Sequence, residues 1–136
     1  MNSNGPLTHS IELPGETFAR VFPFFFAWDE EMRLAQYGPS LPKICEDLVR
    51  GEPVNRFFSL IRPAVPFDAE NLHGQTGVLF FFRHLASDIR FRGQIILMPK
   101  SGLTVMLCSP WMQDTDELDR LGITFADFAI HDPSLD

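Results

Sequence analysis

Tyrosine and tryptophan are scarce in this chain of 136 residues: one Tyr and two Trp stand against 14 Phe. The aromatic content is therefore almost wholly apolar. It suits a packed interior better than a platform for nucleic-acid bases, which needs rings interleaved with Lys and Arg. Positive charge is also short, with 11 Lys and Arg against 18 Asp and Glu and a formal net charge of −7. That balance argues against nucleic acid and against an anionic membrane surface as partners. Cysteine is limited to Cys45 and Cys108, neither in a CxxC nor a Cys-His spacing, so both read as buried thiols in a reducing compartment. No apolar run approaches the ~20 residues of a membrane span, and no N-terminal stretch joins a basic region to an apolar run. The expected location is the cytoplasm.

What the chain does have is enough length for one domain with a real core, and an ordinary balance of 45% hydrophobic and 21% charged residues. Its organising stretch runs from Phe91 to Met112, where two apolar runs flank Pro99-Lys100-Ser101-Gly102. This reads as a β-hairpin, with glycine supplying the positive φ of the return. Neither strand alternates cleanly, because Ile95 and Leu97 oppose Ile96 and Met98, and Leu103, Val105 and Leu107 oppose Thr104, Met106 and Cys108. A sheet that is apolar on both faces has to be covered on both. The second cover is expected from a partner subunit or from a packed N-terminal segment. A three-residue turn, which sets Ile96 beside Met106, is favoured over a two-residue one; it gathers Ile95, Leu97, Val105 and Leu107 on one side.

Earlier in the chain, residues 11–20 hold at most a helical turn, and Phe22–Trp28 and Met32–Tyr37 read as a first hairpin. Ser40–Gly51 carries apolar residues at 41, 44, 45, 48 and 49, the pattern of an amphipathic helix, with Pro42 in its first turn and Gly51 as its cap. Phe57–Ile61 is short and either extended or helical, Phe67–His73 suits a short helix stopped by Gly74, and Val78–Ala86 is an apolar strand. Asp114 to Glu117 resembles a capping box opening a last helix, followed by an extended Ile123–Ile130. The expectation is an α+β, PAS-like domain: a five-stranded antiparallel sheet with helices packed on one face.

Candidate chemistry is thin. His9, His73, His84 and His131 form no HExxH and no zinc spacing, and His84, inside an apolar strand, reads as a satisfied structural histidine. Glu30-Glu31 and the group Asp114, Asp116, Glu117 and Asp119 fall at a turn and a helix start, where solvation and capping explain them. Gly74-Gln75-Thr76-Gly77 is too short for a phosphate loop and lacks the following Lys-Thr. No catalytic residue, metal ligand or cofactor-binding residue is expected, and no cofactor. The alternative is a Phe-lined interior that holds a small molecule or planar cofactor.

Several segments resemble one family, the PAS-like domain associated with haem-nitric-oxide-binding (H-NOX) domains of soluble guanylyl cyclases and bacterial signal-transduction histidine kinases. They are Phe22-Pro23-Phe24, Phe58-Ser59-Leu60-Ile61-Arg62-Pro63, Arg92-Gly93-Gln94-Ile95 with Pro99, Leu107-Cys108-Ser109-Pro110, Asp116-Glu117-Leu118 with Leu121-Gly122, and Asp127 with His131-Asp132. Each is weak alone; their order and spacing are specific. Cyclase versions tend to continue the first motif with His, where this chain has Phe25. The resemblance implies an arm over 1–17, the PAS-like domain over 18–132, and the start of a linker to an output domain at 133–136. It implies a non-catalytic relay that forms a homodimer and couples an H-NOX haem gas sensor to a kinase or cyclase output. Expected contacts of that dimer are Phe22, Phe24, Ile96, Met98, Met106 and Trp111.

Overall fold

The computed structural model describes residues 13–111, residue 73 excepted. The expected helix from Asp114, the piece Ile123–Ile130 and the His131-Asp132 pair lie outside the described residues. The described chain is α+β and built on one antiparallel sheet. Helix α1 (Gly15–Val21) leads into β1 (Phe25–Trp28) and β2 (Leu34–Tyr37); β3 (Phe58–Arg62), helix α2 (Ala69–Leu72), β4 (Phe80–His84), β5 (Arg90–Met98) and β6 (Leu103–Pro110) follow. The sheet has six strands in the order β2-β1-β6-β5-β4-β3. The first hairpin thus docks on the last strand of the second. The expected five becomes six because Phe58–Arg62 pairs with β4, Phe58 opposite His84 and Leu60 opposite Phe82, and adds an edge strand.

Strand parity sorts the side chains. On the inner face Phe26, Phe58, Phe82 and Phe91 meet ring to ring: Phe26 stacks on Phe58 at 4.2 Å between centroids, and Phe82 on Phe91 at 5.3 Å. Edge-to-face contacts of 5.7 Å between Phe26 and Phe82 and 5.6 Å between Phe58 and Phe82 join the two stacks. Leu34, Leu41, Cys45, Val54 and Met106 close this core. Each buried Phe contributes about 1.5–3 kcal/mol of transfer free energy, and well-oriented aromatic pairs add to it. The Phe excess is thus a core.

Ser40–Gly51 does not form the expected helix. A single turn of 3₁₀ helix covers Leu41–Lys43, and the rest is irregular. The apolar positions Leu41, Ile44 and Cys45 are buried as their spacing suggests, but Val49 is 51% exposed. The cause is tertiary. Leu34 donates its N–H to Glu52 C=O and accepts from Gly51 N–H, both at 2.8 Å, and Val54 N–H reaches Met32 C=O at 2.9 Å. These bonds draw the segment out along the edge of β2. A helix rises about 1.5 Å per residue against about 3.3 Å for extended chain, so a chain held there is stretched off helical geometry.

The hairpin return is also longer than expected. Met98 pairs with Leu103 and Ile96 with Val105, which leaves Pro99–Gly102 as a four-residue loop. Ser101 and Gly102 both donate backbone N–H to Met98 C=O, at 3.2 and 3.0 Å, and Gly102 takes φ +72°. Relative to the favoured three-residue form, β6 slips by one residue, and a slip of one exchanges its faces. Met106 therefore sits inside beside Ile95, while Val105 and Leu107 face outward with Ile96.

Helices do not share one face. Residues 40–57 and α2 cover the inner side, while α1 lies on the outer side, where Phe18 and Ala19 pack with Phe25, Ala27 and Val105. The Phe18 ring meets Phe25 edge-on at 5.0 Å. Among the described residues, α1 covers the outer face beside β1 and β6.

Candidate functional site

The outer face divides into two halves that share β5. Over β1, β6 and the distal half of β5, Phe18 and Ala19 of α1 pack on a cluster of Phe25, Ala27 and Val105, and Ile96, Met98, Leu103 and Leu107 pack on the same cluster. Its own Val21 remains 40% exposed, and Leu13 before it 48%. Over β3, β4 and the proximal half of β5 no described element covers the face, which is open among the described residues. Ile61, Arg62, Phe81, Arg90 and Trp111 line a shallow cavity of about 280 Å³ there. Trp111 is held by its backbone N–H, which donates to Arg90 C=O at 2.8 Å, and its ring lies 5.5 Å from that of Phe81.

The expected contact residues are thereby separated. Phe22, Ile96 and Met98 are half-buried, Phe22 against Phe18 at 5.1 Å and the other two against the cluster of Phe25, Ala27 and Val105. Trp111, 49% exposed, belongs to the open half. Phe24 and Met106, at 2% and 0% exposure, point into the main core, where their side chains serve packing. Parity along the Phe-Pro-Phe motif and the hairpin slip account for this. Of the six expected contacts Trp111 alone falls on the open half, where Ile61, Arg62, Phe81 and Arg90 join it.

On the inner face, a groove of about 420 Å³ opens where the helical cover stops, with Trp28, Met32, Leu72, Ile95 and Leu97 in its walls and Asp29 and Glu30 at its rim. Asp29 is already engaged, since its Oδ1 accepts backbone N–H groups of Glu31 and Arg33 at 2.9 and 3.0 Å.

His84, 1% exposed, is the buried titratable side chain at the other end of β4. Its Nδ1 accepts the Ser87 N–H at 3.2 Å and faces Ser87 Oγ at 2.8 Å, so the proton sits on Nε2 and is donated to Asp47 Oδ1 at 2.6 Å. Serine, histidine and carboxylate stand in the order of a nucleophile triad. Ser87 is nevertheless a turn residue, its Oγ also accepting Ile89 N–H at 3.2 Å. The arrangement pins the irregular segment around Asp47 to the sheet, which is the structural role expected of His84. Burial pushes the Cys45 thiol far above its ordinary range, and Cys108 and then Asp47 add to the effect. A thiol kept neutral is inert as a nucleophile. Among the described residues no group of three His, Cys, Asp or Glu side chains is placed to hold a metal, and no helix is long and apolar enough to cross a membrane.

Gly93, in the Arg-Gly-Gln motif, shows why the motif is there: a Cβ at this position would overlap the Leu107 carbonyl and Cys108 across the hairpin. The Phe-Pro-Phe and Phe-Ser-Leu-Ile-Arg-Pro motifs likewise fall on β1 and β3 and their approaches, so the recurring residues hold the sheet together.

The chain is 24% identical to a soluble guanylate cyclase, gcy-34, of Caenorhabditis elegans over 93% of its own length, and 25% identical to the human guanylate cyclase soluble subunit beta-2 over its whole length. It is 26% identical to the rat guanylate cyclase soluble subunit beta-2 over 89% of its length. It spans only 24%, 24% and 19% of those three proteins in turn, so it corresponds to one region of each. The family model described as heme NO binding associated matches residues 11–90 and 83–136, nearly the full sequence, and the chain belongs to that family.

Proposed function

We propose that this domain is a non-catalytic dimerisation and relay module of the cytoplasm. It couples an H-NOX haem gas sensor to an output domain, either a guanylyl cyclase or a histidine kinase. The observation that carries the reading is the outer sheet face. Among the described residues a seven-residue helix is a small cover for it, with Leu13 and Val21 exposed at its two ends and Phe22, Ile96 and Met98 half-buried on this face. Such a face suits an isologous contact between two copies, each helix completing the other's sheet cover. A sensor that repacks this contact changes the relative placement of two output domains. Family membership and the cyclase relatives support the sensor and cyclase parts.

Sedimentation equilibrium of the purified chain tests it. A dimer at tens of micromolar that Ile96→Glu together with Met98→Glu converts to a folded monomer is the expected result. A wild-type monomer at that concentration would sink the proposal.

The groove beside Trp28 favours a second reading, a small-molecule sensor, because its volume lies within the range of ligand sites and its walls are apolar with two carboxylates at the rim. An absorption band from a co-purified chromophore, or a ligand-induced shift of the Trp28 indole resonance, would favour this reading over the relay.

A further inference from the structure

The open half of the outer face is out of character with the rest of the chain. In a protein of net charge −7, Arg62, Arg90 and Arg92 gather around Phe81, which lies opposite Arg62 on β3 and opposite Arg92 on β5. Among the described residues none of these three arginines forms an ion pair, whereas Arg83 on the same face is satisfied by Asp88 at 3.1 Å. Trp111, half in solvent, and Phe81 offer an apolar floor between them. Trp, Phe and Arg are the side chains most enriched where protein surfaces bind, and arginine pairs with carboxylates in a bidentate fork.

We infer that this half is a docking surface for an acidic segment of a partner protein, with one apolar side chain seated against Phe81 and Trp111 and carboxylates on Arg62, Arg90 and Arg92. A second copy of this chain does not fit the same place. An isologous contact would set each arginine cluster against its own image, and like-charge juxtaposition across an interface is costly. The surface is thus heterotypic and lies beside, not within, the part of the face assigned above to self-association. The inference stands whether or not that assignment does.

The test is a titration of the isotopically labelled full chain, followed by ¹⁵N–¹H correlation. The probe is a terminally blocked 14-residue peptide of Glu with Leu and Phe four positions apart; its counterpart has every Glu replaced by Lys. Expected are shifts confined to the Trp111 indole and the amides around Arg62, Phe81, Arg90 and Arg92. Affinity should fall about tenfold or more from about 50 to about 300 mM NaCl, because the pairs are exposed and screened. Arg62→Glu with Arg90→Glu should cost at least about tenfold in affinity while leaving the melting temperature and the sedimentation of the chain unchanged. Equal binding of the Lys peptide, shifts centred on α1 or on the groove, undiminished binding by the double variant, or no binding of the Glu peptide at millimolar concentration would each overturn the inference. So would saturation of the same resonances by a nucleoside triphosphate at lower concentration than the peptide, or cosedimentation with phosphatidylserine vesicles, either of which assigns the patch to another class of ligand.

Discussion

Replacing Asp47 by Ala removes the acceptor of the His84 Nε2–H and is the sharpest test of how the irregular segment after β2 is held. The ring is 1% exposed, so its N–H is left without a partner that solvent can readily supply; the carboxylate itself is 42% exposed and loses little on its own account. An orphaned buried donor costs about 1–3 kcal/mol, and because Asp47 sits at the boundary we take about 2 kcal/mol. Asp47→Asn keeps an oxygen acceptor and loses only the charge assistance, about 0.5–1 kcal/mol. For a domain of this length one kcal/mol shifts the melting temperature by about 3–5 °C, so the Ala variant should melt about 6–10 °C lower and the Asn variant about 2–5 °C lower. Urea titrations should show the same order in the midpoint with an unchanged slope. A long-range ¹⁵N correlation of the imidazole should report Nε2 as the protonated nitrogen, as the Ser87 N–H bond to Nδ1 requires. An Ala variant within about 0.5 kcal/mol of the parent would refute the pin, and so would an Nε2 found without a proton.

Gly93→Ala should destabilise the domain by at least about 2 kcal/mol, since the added methyl meets backbone across the hairpin and neither strand can yield without losing ladder bonds; chemical denaturation checks it. Thiol labelling of the native protein should modify half-buried Cys108 while sparing Cys45 until global unfolding. Because burial raises the Cys45 thiol above its ordinary 9.0, the folded state keeps a proton that the unfolded chain releases. Its contribution is full below pH 9 and declines as the pH rises past that value, by up to about 1.4 kcal/mol per pH unit. Cys45→Ala should flatten the stability profile above pH 9 relative to the parent. A variant whose alkaline profile parallels the parent's would remove Cys45 from that account.

Much of this fold was legible in the sequence, and what was not has identifiable causes. Strands β1, β2, β4 and β6 fall inside the segments read as strands, β5 begins one residue before its segment, and α2 ends before Gly74, which adopts φ +75° as a helix stop does. The Ser40–Gly51 helix does not form because the deciding bonds, made to residues 51 and 52, come from Leu34, outside the segment whose periodicity suggests a helix. β3 was ambiguous because five residues carry too little pattern to choose between extended and helical; its partner β4 made the choice. The hairpin register was lost by a single residue, since Pro99 and Lys100 carry no side-chain signal that says whether they belong to strand or loop. That one residue decided that Met106 enters the main core and that Leu107 packs in the cluster on the outer face. Arg62, Arg83, Arg90 and Arg92 read from the sequence as rim or interface salt-bridge residues, but that they surround Phe81 was not legible, because β3, β4 and β5 bring them together only in the sheet.

The absence of a polar face on the second hairpin raised the question of what covers it, and the answer divides β5 in two. Its distal residues Ile96 and Met98 belong to the apolar cluster that α1 joins, its proximal residues Arg90 and Arg92 lie beside Phe81, and Gln94 separates them. One nine-residue strand, hydrogen-bonded on both sides to β4 and β6, therefore belongs to both surfaces at once. A strand so paired moves as a unit with its sheet and offers a physical path between the two. A partner seated on the arginines and a second copy seated against α1 would each bias the position of the same strand. Reciprocity then requires that acidic-peptide binding and dimerisation alter one another by the same factor. Measuring the peptide affinity for the parent and for the Ile96→Glu, Met98→Glu monomer decides it: equal affinities mean that the two halves of the face act independently, and β5 carries nothing between them.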